Sequence, residues 1–196
     1  RLECENSYAD NCGACVLSNI MISGNASVHA VNMSSKELGG ALCGGYPGQN
    51  ISVTENASVL VQGSKSGLYG GAMLAHQVTL TGGAFKVWLE NVTAPCGAAI
   101  LTLGPGNQVG EGDVHIDGSL GGILRVVDAV EGNTSLGCLN IEANLFDRSG
   151  ARVPQPCGHG CAIHLRRSTT GTPPALQCHC GHQMPAPVLE CCSDYA

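Results

Sequence analysis

The stretch Leu38-Gly39-Gly40-Ala41-Leu42 decides how this chain is read. It returns as Tyr69-Gly70-Gly71-Ala72-Met73, as Cys96-Gly97-Ala98-Ala99-Ile100 and as Leu120-Gly121-Gly122-Ile123-Leu124, with weaker copies at Cys12-Gly13-Ala14-Cys15-Val16 and His159-Gly160-Cys161-Ala162-Ile163. The leading glycines, at 13, 39, 70, 97, 121 and 160, are separated by 26, 31, 27, 24 and 39 residues. Gly-Gly pairs alone carry little: with 28 glycines in 196 residues, five pairs occur where composition supplies roughly four. The signal is the small residue and the aliphatic that follow at similar spacing. A period of about 20 to 50 residues marks a chain built from stacked repeats.

A second register travels with the first. Asn19 to Gly24 precedes Ala26 to Val31, Asn50 to Thr54 precedes Ala57 to Val61, and Gln77 to Thr81 precedes Ala84 to Leu89. Asp113 to Asp117 and Cys138 to Glu142 continue the series. Each run alternates apolar and polar residues, as half-buried strands do. Gly, Asn and Pro at the joints supply turns. One repeat therefore reads as three short strands in roughly 27 residues, one coil of a parallel β-helix. Small residues let the backbone turn sharply or approach the next coil, about 4.8 Å away. The aliphatic after them stacks on its counterpart. The expected fold is all-β: a parallel β-helix of about five coils over 1–150, then a cysteine- and proline-rich tail over 151–196.

Composition narrows the role. A net charge of −6 argues against nucleic-acid binding, and no run approaches the roughly 18 apolar residues of a membrane span. The opening Arg1-Leu2-Glu3-Cys4 reads as a processed start. Twelve cysteines (Cys4, Cys12, Cys15, Cys43, Cys96, Cys138, Cys157, Cys161, Cys178, Cys180, Cys191 and Cys192) suit an oxidising compartment. Six Asn-x-Ser/Thr sequons, at Asn25, Asn32, Asn50, Asn56, Asn91 and Asn133, stand where roughly 1.5 are expected by chance. Together they predict a secreted, N-glycosylated protein at the cell surface or outside it. Asn25, Asn50, Asn56 and Asn91 are expected at strand ends or turns facing water.

Cysteine spacing gives a partial disulfide scheme. Cys15 and Cys43 fall two residues apart in register, within reach of the roughly 5.5 Å Cα separation a disulfide prefers. That pairs them and leaves Cys4 for Cys12. Six of the nine prolines and six of the twelve cysteines lie in 151–196, where Cys191 and Cys192 bridge to different partners. Cys157, Cys161, Cys178, His179, Cys180 and His182 have zinc-ligand chemistry, but an oxidising route favours disulfides. No cofactor or metal is expected.

The pattern resembles the right-handed parallel β-helix class, in the broad pectate-lyase-like superfamily. The Gly-Gly-Ala-aliphatic element, over roughly 12–150, is similar to the repeat of polymorphic outer-membrane adhesins. The resemblance implies an extracellular or surface role and transfers no catalytic residue. Gly158-His159-Gly160 matches one polygalacturonase motif, but Asn-Thr-Asp, Asp-Asp and Arg-Ile-Lys are missing. Asp113, Asp117 and Asp128 lack the paired-carboxylate context of a glycosidase. Ice binding would need Thr-x-Thr in successive coils, and Thr79-Leu80-Thr81 stands alone in that reading. The sequence therefore predicts a non-enzymatic structural glycoprotein that self-associates head to tail into a filament or coat. A polysaccharide-active β-helix enzyme and a surface adhesin are the alternatives.

Overall fold

The computed structural model describes residues 1–44, 49–117, 120, 122–127, 129–131, 141–146, 150, 161–165 and 176–180. Its strands fall into five passes of four, then a hairpin. The first pass holds β1 (Leu2–Glu5), β2 (Tyr8–Ala9), β3 (Val16–Leu17) and β4 (Ile20–Ile22). The second holds β5 (Ser27–Val31), β6 (Ser34–Ser35), β7 (Leu42–Cys43) and β8 (Asn50–Thr54). In the third come β9 (Ser58–Gln62), β10 (Lys65–Ser66), β11 (Met73–Ala75) and β12 (Gln77–Thr81). The fourth contains β13 (Lys86–Glu90), β14 (Thr93–Ala94), β15 (Ile100–Thr102) and β16 (Asp113–Ile116). The fifth contains β17 (Ile123–Val127), β18 (Val130–Glu131), β19 (Ile141–Glu142) and β20 (Asn144–Phe146). The hairpin is β21 (Cys161–Leu165) with β22 (Leu176–Cys180).

Each pass contributes one strand to each of four separate five-stranded parallel sheets. The first sheet runs β1-β5-β9-β13-β17, and the others collect every fourth strand in the same way. Neighbours in a sheet are thus one whole pass apart. One apolar cluster draws on all four sheets. Its columns follow the register: Val28, Val59, Val87 and Leu124 in the first sheet, and Ile51, Val78, Val114 and Leu145 in the fourth. In the third sheet Leu42, Met73, Ile100 and Ile141 stack as one column. Alternate residues of the first and fourth sheets point outward, which is why their period-2 pattern is clear.

The glycine repeat is the bend before the third sheet. Gly13, Gly39, Gly70 and Gly97 all have positive φ, between 50° and 67°, where a side chain is disfavoured. The next glycine is required by closeness: a Cβ on Gly71 would collide with the Ala98 carbonyl oxygen and come within 2.7 Å of that of Thr93. Ser64 seals the same bend, its hydroxyl donating to the Gly71 carbonyl at 2.6 Å. Outside it, Cys12, Leu38, Tyr69, Cys43, Leu74, Cys96, Leu101 and Leu103 form a second, smaller apolar cluster.

Three expectations are corrected. A pass holds four strands, because a two-residue strand of the second sheet lies between the two longer runs and the glycine bend. The copy at Leu120-Gly121-Gly122-Ile123-Leu124 is no bend of this kind. Ile123 and Leu124 belong to β17 of the first sheet, and Gly122 is small because Phe85's ring fills the space its Cβ would take. The disulfides join Cys4 to Cys15 and Cys12 to Cys43, at Cα separations of 5.6 and 5.7 Å. The reason is sidedness. Cys4 and Cys15 pack against the main core, whereas Cys12 and Cys43 belong to the outer cluster, so Cys15 and Cys43 face opposite sides of one backbone. Cys96 is also disulfide-bonded. The side chains of Cys138, Cys157, Cys161, Cys178, Cys180, Cys191 and Cys192 lie outside the described residues. In the tail, β21 and β22 pair antiparallel, with Cys161 opposite Cys180 and Ile163 opposite Cys178. This hairpin lies against β17.

Candidate functional site

The outer face of the first sheet carries an exposed tryptophan, Trp88. Register puts Ser58, Leu60 and Gln62 of β9 beside Lys86, Trp88 and Glu90 of β13, and sets Arg125 of β17 beside Trp88. Trp88 is 37% exposed although each of its chain neighbours, Val87 and Leu89, is fully buried. Alternation along the strand forces this orientation. A recess of about 240 Å³ opens beside the indole, lined by Ser58, Val59, Leu60, Lys86 and Trp88. On the other side the Arg125 guanidinium lies 5.9 Å from the ring centroid, within cation–π range. Gln62 Nε2 donates to Glu90 Oε2 at 3.0 Å, so this carboxylate is engaged within its own row. No described acid forms an ion pair with Lys86 or Arg125.

Four sequons border this face. Asn25 and Asn56 stand at equivalent places two residues before β5 and β9, and both are exposed. Asn32 and Asn91 follow β5 and β13 directly, exposed and at φ 53°. The trailing border is one column of left-handed residues: Asn6 (φ 51°), Asn32, Gly63 (φ 65°) and Asn91. Asparagine and glycine tolerate that conformation best. The corner thus favours asparagine or glycine at 32 and 91 whatever the side chain carries. Asn32 Nδ2 also donates to Asn6 Oδ1 at 3.1 Å, and a Cβ on Gly63 would come 2.6 Å from Asn32 Oδ1. On the leading border, Asn56 Oδ1 accepts from the Ala84 amide at 3.3 Å. Asn50 lies at a strand end as expected but does not face water freely. It is the first residue of β8, half-buried, with its Oδ1 buried and unpaired, while its backbone amide donates to Asn19 Oδ1 at 2.9 Å. Asn133 lies outside the described residues.

The acids singled out from the sequence do not converge. Asp113 and Asp117 bracket β16 on the outer face of the fourth sheet, four residues and about 13 Å of extended chain apart. Paired glycosidase carboxylates need about 5–9.5 Å. His115 between them has Nε2 3.9 Å from Asp113 Oδ2 and stacks on Phe146, ring centroids 5.2 Å apart. Asp128 and His159 lie outside the described residues, as do the side chains of the tail's Cys/His set. Among the described residues no three His, Cys, Asp or Glu side chains are grouped to hold a metal. The Tyr8 phenol titrates above its usual range, through desolvation first and then the Asp10 carboxylate, to which its hydroxyl donates at 3.3 Å. At 61% exposure it is a surface feature. The hydroxyl row of Thr79 and Thr81 is longer than Thr-x-Thr spacing shows: Ser52 and Thr54 lie beside them in register, so the row extends over two passes.

No described helix is long and apolar enough to cross a membrane. No known protein family, characterised protein or solved structure matches the chain.

Proposed function

We propose that this chain is a secreted, N-glycosylated structural unit, a right-handed parallel β-helix of five coils that assembles head to tail into an extracellular filament or surface coat. One observation carries the reading. All four strands of the first pass are terminal in their sheets, and so are all four of the fifth. Among the described strands, none of these end strands pairs with a further strand in its sheet, and such edges template further pairing. At the far end the hairpin lies against β17. A first pass meeting a last pass is a heterologous contact, which propagates unless it closes into a ring. The disulfides Cys4–Cys15 and Cys12–Cys43 staple the first pass and tie it to the second, keeping that end rigid enough to dock. The exposed sequons sit on the flanks, where glycans discourage sideways association and leave the ends bare.

The test is light scattering against concentration, with Val16→Asp as the blocking variant. Val16 stands in the first pass, half-buried at the end of the core. The wild-type chain is expected to grow in mass with concentration and the variant to stay monomeric. A monomeric wild type at every concentration contradicts the reading.

A further inference from the structure

We propose that the recess beside Trp88 holds the first sugar of the chain's own N-glycan, attached at Asn56. The proposal rests on the glycoprotein reading above and assigns the glycan a packing role in it.

Trp88 is the single tryptophan of the chain and lies on a surface face rather than in the core. An exposed indole is a large apolar plane with one polar N–H, the shape on which the C–H face of a pyranose stacks. The recess, at about 240 Å³, lies below the usual size of a free-ligand pocket and suits one sugar unit. Its polar groups match N-acetylglucosamine: the Ser58 hydroxyl and the Lys86 ammonium can donate to the acetamide and ring oxygens, and Leu60 offers apolar contact to the acetyl methyl. Arg125 already occupies the β17 side of the indole, so the β9 side is the one left to fill.

Position selects Asn56. Ser58 and Lys86 are the first residues of β9 and β13, so the recess opens toward the leading border of the sheet. Asn56 lies two residues before Ser58, about 7 Å of chain. Its hydrogen bond to Ala84 turns the side chain toward the pass that carries Trp88, and uses Oδ1 rather than Nδ2, the nitrogen that bears a glycan. Asn25 lies one pass further away, and Asn32 and Asn91 stand on the opposite border.

The full chain secreted from eukaryotic cells is compared with Asn56→Gln, Ser58→Ala, Ser58→Thr and Asn91→Gln. Ser58→Ala removes the sequon and keeps Asn56, which guards against a folding defect in Asn56→Gln; Ser58→Thr keeps the sequon. Glycopeptide mass spectrometry reads occupancy, and the fluorescence of the lone indole reads the recess. Asn56→Gln and Ser58→Ala are expected to red-shift the emission and raise acrylamide quenching, with Asn91→Gln matching wild type and Ser58→Thr, which keeps both sequon and hydroxyl, staying nearer wild type than Ser58→Ala. An occupied Asn56 with unchanged fluorescence in both sequon-free variants overturns the proposal and leaves the glycoprotein reading standing. A shift from Asn91→Gln alone, or a bare Asn56 beside other occupied sites, overturns it as well. So does protection of the wild-type indole by added polysaccharide or acidic peptide, which would show an open recess. Six bare sites would instead remove the glycoprotein reading itself.

Discussion

The broad first and fourth sheets and the tight bend before the third sheet bury their residues by different rules. In the broad sheets most strands are four or five residues long, and inside alternates with outside. Only every second residue is constrained, and the constraint is apolar volume. From the bend into the third sheet both sides are covered: Met73, Leu74 and Ala75 of β11 are all buried in succession, as are Ile100, Leu101 and Thr102 of β15. There the constraint is the absence of a side chain, since backbone from the next pass fills the space beside Gly40 and Gly71. One half of each pass is specified by what fills it and the other by what must be left out.

Four substitutions probe that contrast, each read as a shift in denaturant midpoint. Phe85→Ala should cost most, about 3–5 kcal/mol, because the ring is fully buried and Gly122 packs flat against it. A cost under about 1 kcal/mol would mean the broad interior is loosely filled. Replacing Cys12 and Cys43 together by Ser should cost about 2–4 kcal/mol, since this bridge closes a 31-residue separation across the bend. Gly71→Ala adds one methyl group and should still cost about 1–3 kcal/mol, through collision with backbone that cannot rotate away. A neutral result there would break the distinction between the two regions. On the outer face of the fourth sheet, Thr79→Val should stay within about 0.5 kcal/mol of wild type, because its side chain points away from the core.

The same contrast explains what the sequence revealed. Alternation in Asn50 to Thr54, Gln77 to Thr81 and Lys86 to Glu90 located the broad strands, because one buried face leaves a period of two. The second-sheet strands Ser34–Ser35 and Lys65–Ser66 are too short to show any period. Gly121-Gly122 looked like another bend because a glycine excluded by a ring reads the same as one excluded by backbone. Spacing placed Cys15 near Cys43 but could not say that they face opposite sides. Asn32 and Asn91 registered as sequons alone; the hidden signal was that Asn6, Asn32, Gly63 and Asn91 occupy one recurring corner. Trp88 was visible as the only indole, yet its setting came from residues 28 and 37 positions away, Leu60 and Arg125.

Head-to-tail assembly is tested most directly by negative-stain microscopy of the concentrated, glycosylated protein. Five passes at about 4.8 Å each predict filaments whose subunits repeat every ~24 Å along the axis, lengthened by whatever the hairpin adds at the joint. Intact chain that remains as single particles at high concentration would contradict the account.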